Sequence, residues 1–383
     1  MHILLLHSSS DLYGASKIFL QTTQILQAQG HTCHVVVSAN GPLVDKLKQN
    51  NIPITVMNLG IIRRKYFTPL GILNRLNKWY QANDFLNTYI QQNGIEIVYA
   101  NTTAVLLGAY LAHKNKIKHV WHVHEIIEKP KFLFVTIQWI MKRYTSTIIC
   151  VSKAVKDHWS KNVPSLLPKI QVIYNGVGPI EKSTQVNFKK QYQIPNEAIV
   201  IGMAGRVHYW KGQVYFLQIA KQILKLADEH QLHVPLYFII TGDAFPGYEY
   251  LIDEINDFIH QNKLTQHVFY TGFEDKMDKF YAAIDVLILP SQLPDPLPTV
   301  VLEAMQYGIP VAATAQGGAL EMITENETGI FIPMKNEKQA AHKIFELIQS
   351  NHHTNMRTHS IERVKNYFSA SSFENQIASI FHP

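Results

Sequence analysis

Cysteine is scarce in this chain: two in 383 residues, Cys33 and Cys150, each within its own apolar run. That excludes a disulfide framework and fits buried free thiols in a reducing compartment. Long hydrophobic runs are also missing. The most membrane-like stretch, Phe132–Met141, lies between Lys131 and Lys142-Arg143. It is half the roughly 20 residues that a spanning helix needs. No secretory leader is visible, because Met1-His2-Ile3-Leu4 runs straight into a strand pattern; a cytoplasmic location is expected. Charged residues make up only 17%, and the net charge of +6 is scattered. Nucleic-acid binding is therefore not indicated, while an anionic membrane surface or phosphorylated ligands remain open as partners. Gly-x-Gly-x-x-Gly is absent, which disfavours an NAD-dependent oxidoreductase. So are Asp-x-Asp, tandem repeats and low-complexity segments.

What is present is a well-cored globular chain, 46% hydrophobic and long enough for two domains of about 180 residues each. Short apolar runs recur at Ile3–Leu6, Val35–Ser38, Ile54–Met57, Ile97–Ala100, His119–Val123, Thr147–Val151 and Ile170–Ile173, with helical patterns between them. The alternation resumes at Ala198–Ala204, Leu236–Ile240, Val268–Tyr270, Val286–Leu289 and Thr328–Phe331. Such a sequence predicts α/β architecture with mainly parallel sheets. A polar linker after Tyr174-Asn175-Gly176-Val177 puts the domain boundary near residue 180.

One stretch concentrates the chemistry, from Asp285 to Thr314. It reads as strand, loop, helix, turn, strand. Pro290, Pro294, Pro296 and Pro298 stiffen the loop. Thr299 is the expected N-cap, and Gly308 with Pro310 ends the helix. The helix start offers free N–H groups at Thr299 and Val300, framed by two acids, Asp295 and Glu303.

Other candidates sit at expected strand ends. Gly14 and Ala15 follow the first strand, where a small residue serves either a tight turn or a ligand contact. His122 and His124 share one face of their strand with no third metal ligand evident. Gly205 and Arg206, with Lys211 and Gly212 just beyond, put two cations at a strand-to-helix loop. Ile61–Phe67, with Arg63, Arg64 and Lys65, mixes cations with large apolar residues in a long connection.

The acid pair spaced as Asp295 and Glu303, followed by Ala304-Met305 and Gly308-Ile309-Pro310-Val311, resembles the signature of retaining GT-B glycosyltransferases of the GT4-like family. The first acid of that family is usually Glu, one methylene longer than Asp295, and Tyr13 stands where the family often has glycine. The resemblance implies a GT-B fold: two Rossmann-like domains with parallel sheets facing across a cleft, an acceptor domain at 1–180, a nucleotide-sugar domain at 181–365, and a C-terminal helix, 366–383, crossing back. It implies that Glu303 binds the ribose. Thr299 and Val300, with Leu297 and Pro298, hold the diphosphate together with Gly205, Arg206 and Lys211. Gly272 and Phe273 lie at the base, Phe273 through its backbone while its side chain packs. Gly14 and Ala15 approach the donor phosphates, and His124 and Asp295 face the donor sugar. The implied activity is metal-independent, retaining, hexosyltransferase-like transfer from a nucleotide diphosphate sugar, UDP favoured over GDP, to a carbohydrate or lipid-linked acceptor. It belongs in bacterial cell-envelope polysaccharide or glycolipid assembly, with no further cofactor, at the inner face of the cytoplasmic membrane. A nucleotide-sugar epimerase of similar fold and a non-catalytic binding subunit are the alternatives.

Overall fold

The computed structural model describes residues 1–61, 66, 68–178, 180, 188–350 and 353–382. Arg63, Arg64, Lys65 and Phe67 of the cationic stretch lie outside the described residues, as do Pro179 and linker residues 181–187. Two compact units divide the chain: Met1–Asn175 with Ser371–Pro383, and Gly176–Ala370. The changes of unit thus fall at 175–176 and 370–371, where the sequence reading had 180–181 and 365–366.

The first unit alternates β1 (His2–His7), α1 (Gly14–Ala28), β2 (Thr32–Val37), α2 (Pro42–Gln49), β3 (Ile54–Val56), α3 (Pro69–Gln92) and β4 (Ile97–Asn101). It continues with α4 (Leu106–Asn115), β5 (Lys118–Val123), α5 (Lys131–Tyr144), β6 (Thr147–Cys150), α6 (Lys153–Ser160) and β7 (Ile170–Val172). All pairings are parallel, in the order β3-β2-β1-β4-β5-β6-β7. Central strands are apolar along their whole length because helices cover both faces: Ile3 to Leu6 of β1 are all buried. Both Cys33 and Cys150 are free thiols and buried.

The second unit holds α7 (Phe188–Gln191), β8 (Ile199–Ala204), α8 (Gln213–Glu229), β9 (Leu236–Thr241), α9 (Tyr250–Gln261), β10 (Val268–Tyr270), α10 (Met277–Tyr281) and β11 (Val286–Leu289). Then come α11 (Thr299–Gln306), β12 (Val311–Thr314), α12 (Ala319–Met322), β13 (Gly329–Ile332), α13 (Glu337–Gln349) and α14 (His353–Tyr367). Its sheet is also parallel, ordered β10-β9-β8-β11-β12-β13. The last helix, α15 (Ala370–Ile380), returns to the first unit. Phe373 and Ile377, one turn apart, and Phe381 beyond them enter a core with Ile3, Leu5, Phe19 and Tyr99.

In both sheets the chain leaves a central strand to one side and later resumes on the other. The reversal falls between β1 and β4 in the first unit and between β8 and β11 in the second. Loops at the carboxyl ends of such strand pairs diverge and open a crevice, the usual ligand site of open α/β sheets.

Helices α3, α4 and α5 form a layer in which α4 packs against both neighbours. The ten-residue run of α5 is amphipathic: Ile137, Gln138 and Met141 face inward, while Phe132, Val135 and Trp139 are exposed. The outer side of α3 likewise exposes Leu70, Leu73, Leu76 and Tyr80. Among the described residues, ten of the twenty-one exposed large apolar side chains lie on these three helices. No described helix is long and apolar enough to cross a membrane.

Candidate active site

In the second unit the predicted residues collect at the β8/β11 reversal. Gly205, Arg206 and Lys211 occupy the β8–α8 loop; Asp295, Leu297 and Pro298 occupy the β11–α11 loop; Thr299, Val300 and Glu303 begin α11. The two loops are joined by an ion pair between Lys211 Nζ and Asp295 Oδ2, both side chains largely buried. Such a pair persists away from water because each charge offsets the other's desolvation. The Arg206 guanidinium lies over the Phe245 ring, 3.4 Å from its centroid, and Gln213 Nε2 donates to the Arg206 carbonyl (3.0 Å). A ring face fixes a guanidinium without consuming its N–H donors.

Glycines bring these loops together. Gly212 has φ +86°, and a Cβ there would overlap the Pro290 carbonyl. Gly317 has φ +56°, and a Cβ would overlap the backbone of Asp295, whose carbonyl accepts from Gly318 N (2.8 Å). Gly317 and Gly318 thus let a third loop press against Asp295 and Pro296.

The start of α11 differs from expectation. Thr299 is not the N-cap; Pro298 occupies that position with φ −69° and ψ 106°, and no side chain caps the helix. Proline's fixed φ sets the extended entry, so Thr299 becomes the first helical residue. The amides of Thr299 and Val300 then lie in the first turn, where backbone N–H groups have no intrahelical acceptor. Leu297 is buried, which leaves its backbone for any ligand contact. One turn on, Glu303 Oε2 accepts from the Tyr281 hydroxyl (2.7 Å). Tyr281 is buried, and burial together with the Glu303 carboxylate holds its phenol well above the ordinary range, so it stays a donor. No sequence motif pointed to Tyr281; it lies 22 residues before Glu303.

Gly272 and Phe273 follow β10, two strands from β8, and Gly242 N donates to the Gly272 carbonyl (2.8 Å). The Phe273 side chain is 52% exposed.

In the first unit, Gly14 and Ala15 begin α1 behind Tyr13 in an extended conformation. A Cβ at Gly14 would meet nothing within 4 Å, so a tight turn is not what requires glycine there. His124 follows β5. Its Nε2 bonds Asn101 Oδ1 (2.9 Å), its ring centroid is 4.3 Å from that of His122, and burial with His122 and His7 nearby holds its pKa well below 6.5. The two histidines lie on one face, as strand alternation requires. Glu125 Oε2 accepts from the backbone N of Thr103 (3.0 Å) and of His124 (3.1 Å), clamping the strand end. Among the described residues no cluster of three or more His, Cys, Asp or Glu side chains is gathered as a metal site. Asn101, unremarked in the sequence, also donates from Nδ2 to the Ala15 carbonyl (3.0 Å), linking two predicted positions.

The family model for glycosyl transferases group 1 matches residues 184–367, and that for glycosyltransferase family 4 matches 13–179. An uncharacterized glycosyltransferase of Methanocaldococcus jannaschii is 26% identical over 251 residues, 61% of each chain. The lipopolysaccharide 1,2-N-acetylglucosaminetransferase of Salmonella typhimurium is 26% identical over 203 residues, 50% of each. The chain thus matches between half and three fifths of the length of these curated relatives. The crystal structure of Anabaena HepE with UDP-glucose superposes with a TM-score of 0.83 over 99% of both chains at 23% identity, a likeness of fold.

Proposed function

This chain belongs to the group 1 glycosyl transferases and has their GT-B fold, and from that premise we propose that it moves a sugar from a uridine diphosphate sugar to an acceptor hydroxyl with retention at the anomeric carbon. The observation that carries the proposal is the β8/β11 reversal, whose two following loops and helix bear Arg206, Lys211 paired with Asp295, the uncapped α11 start and Glu303. Glu303, oriented by Tyr281, takes the ribose hydroxyls. The amides of Thr299 and Val300, with Arg206 and Lys211, take the diphosphate. The acceptor oxygen bonds to the anomeric carbon on the face that the phosphate leaves, and its proton passes to the departing phosphate oxygen. Negative charge on that phosphate grows as the bond breaks, so fixed cations act most strongly at the transition state. Lys211 therefore turns from Asp295 toward phosphate, and Asp295 with His124 steadies the positive charge on the sugar.

Uridine is favoured as the base because HepE, similar in fold, was crystallised with UDP-glucose; envelope polysaccharide is favoured as the product because a Salmonella relative acts on lipopolysaccharide. Two permanent cations and a helix N-terminus supply the charge that a metal would otherwise bring. Transfer should therefore persist in excess chelator, and strict loss restored by magnesium or manganese would refute this.

Peripheral binding to an anionic membrane is the second part of the proposal. The exposed faces of α3 and α5 carry large apolar side chains, Lys131, Lys142 and Arg143 are exposed at the two ends of α5, and α5 carries no acid. That composition suits insertion at the headgroup boundary with cations on anionic lipid. The protein should float with phosphatidylglycerol vesicles at low salt and stay in solution with phosphatidylcholine. Recovery should fall in Leu73→Ser and Trp139→Ser variants, and equal behaviour with both lipids would end the idea.

A further inference from the structure

Five polar side chains form a continuous hydrogen-bonded line across the carboxyl edge of the first sheet. Asp11 Oδ1 accepts from Ser16 Oγ (2.9 Å), which lies 2.9 Å from His7 Nε2. His7 Nδ1 lies 3.0 Å from Asn101 Nδ2, and Asn101 Oδ1 lies 2.9 Å from His124 Nε2. Bonded partners are up to 94 positions apart, and the residues come from three strand ends, the β1–α1 loop and the start of α1.

One bond fixes the role of each atom. Asn101 Nδ2 also points at the Ala15 carbonyl (3.0 Å), and a carbonyl oxygen only accepts. That end of the Asn101 side chain is therefore its NH2 group. Its other hydrogen goes to His7 Nδ1, which must hold a lone pair, so His7 is neutral with its hydrogen on Nε2. That hydrogen goes to Ser16 Oγ, whose own goes to Asp11. On the other side, Asn101 Oδ1 can only accept, so His124 carries a hydrogen on Nε2. Burial lowers the pKa of His7 to about 4 and that of His124 well below 6.5, which agrees with two neutral rings. Asn101 is itself fully buried, so neither amide hydrogen has water as an alternative.

We propose that Asn101 is a positioning residue that locks His124 as the Nε2–H tautomer, so that His124 offers the sugar a lone pair at Nδ1 and accepts a hydrogen bond from a hydroxyl instead of donating one. The sugar contact rests on the role of His124 proposed above; the tautomer does not. A neutral acceptor fits a site where positive charge develops, since an imidazolium there would oppose it. The same amide holds the Ala15 carbonyl, so the turn that begins α1 and the His124 ring share one anchor.

Histidine-15N-labelled full-length protein decides the matter by long-range proton–nitrogen correlation spectra, the His124 signals being identified by their loss in His124→Gln. The expected spectrum at pH 7 shows a pyrrole-like Nε2 and a pyridine-like Nδ1 for His124, with no titration down to pH 5. A hydrogen on Nδ1, or a charged ring at pH 7, would overturn the proposal. Asn101→Asp replaces the amide donor with a carboxylate, so His7 should move its hydrogen to Nδ1 and the His124 ring bonded to the new charge should gain a second hydrogen more readily than in the wild type. Transfer should then lose about 10- to 100-fold in kcat with donor KM little changed, the usual scale for losing a group that orients another. If that variant does not fold, the wild-type spectrum still decides. Full transfer by His124→Gln, with the expected tautomer in the wild type, would overturn the sugar contact and leave the tautomer standing.

Discussion

The two units use the same device, a crevice at a strand-order reversal, and equip it with opposite chemistry. The second unit's crevice is charged, with Arg206, Lys211, Asp295 and Glu303 around a helix start. The first unit's is backed by largely buried neutral groups, His7, Asn101 and His124, anchored through Ser16 on Asp11, in which hydrogen placement matters more than charge. A diphosphate asks for fixed positive charge and exposed amides. A sugar ring that becomes cationic asks for acceptors that stay uncharged. This difference can be tested at several sites.

The largest effect is expected at Lys211. Its replacement by Ala should cut transfer about 100- to 1,000-fold, the scale for losing one preorganised contact to developing charge, and should depress kcat as well as kcat/KM. Glu303→Ala should act mainly on donor KM, because ribose is held alike in ground and transition states. Steady-state kinetics with varied donor separate the two.

Next is acid stability. The first unit buries His7, His119, His122 and His124, all with lowered pKa; burial takes His7 to about 4 and His119 and His122 to about 3. Each binds its proton more weakly folded than unfolded. Stability is therefore fully present above the ordinary value of 6.5 and is lost as pH falls from there toward the folded value. For His7 alone this amounts to about 3 kcal/mol by pH 4. Glu125, whose carboxyl is pushed up by burial, works in the opposite sense and offsets part of the loss. Hydrogen exchange between pH 7 and pH 4.5 should show the first unit opening before the second.

Gly317→Ala comes third. Strain at φ +56° and the overlap with Asp295 should cost about 1–3 kcal/mol, read as a lower melting temperature and weaker donor binding. The smallest effect belongs to Tyr281→Phe. Losing one hydrogen bond to Glu303 is worth about 0.5–1.5 kcal/mol, so donor affinity should fall several-fold while kcat holds.

The same contrast governs what was legible beforehand. Each short apolar run named from the sequence as part of the α/β alternation is a strand, and the central ones are apolar throughout because a parallel strand covered on both faces is buried along its length. The second unit's candidate residues were legible as well, since Arg206, Lys211, Asp295 and Glu303 carry formal charges at recognisable spacings. Its supports were not. Tyr281 acts from a different helix, and Gly317 from a loop that a glycine pair alone does not locate. The first unit's line was largely hidden: Asn101 meets His7 across 94 residues, and no local pattern marks such a contact. The exposed face of α3 escaped for a related reason. Leu70, Leu73 and Leu76 repeat as a core-facing stripe would, and only packing shows which side faces solvent.

The central claim, that the charged crevice of the second unit holds a nucleoside diphosphate, is tested most directly by calorimetric binding of UDP and uridine to the wild type and Lys211→Ala, with GDP and guanosine as a parallel pair. UDP should bind the wild type at least about tenfold more tightly than uridine, as one charge-assisted contact worth roughly 1.5–3 kcal/mol requires, and most of that gap should close in the variant. A diphosphate that binds no better than its nucleoside, or a gap unchanged by Lys211→Ala in a folded protein, would contradict the account.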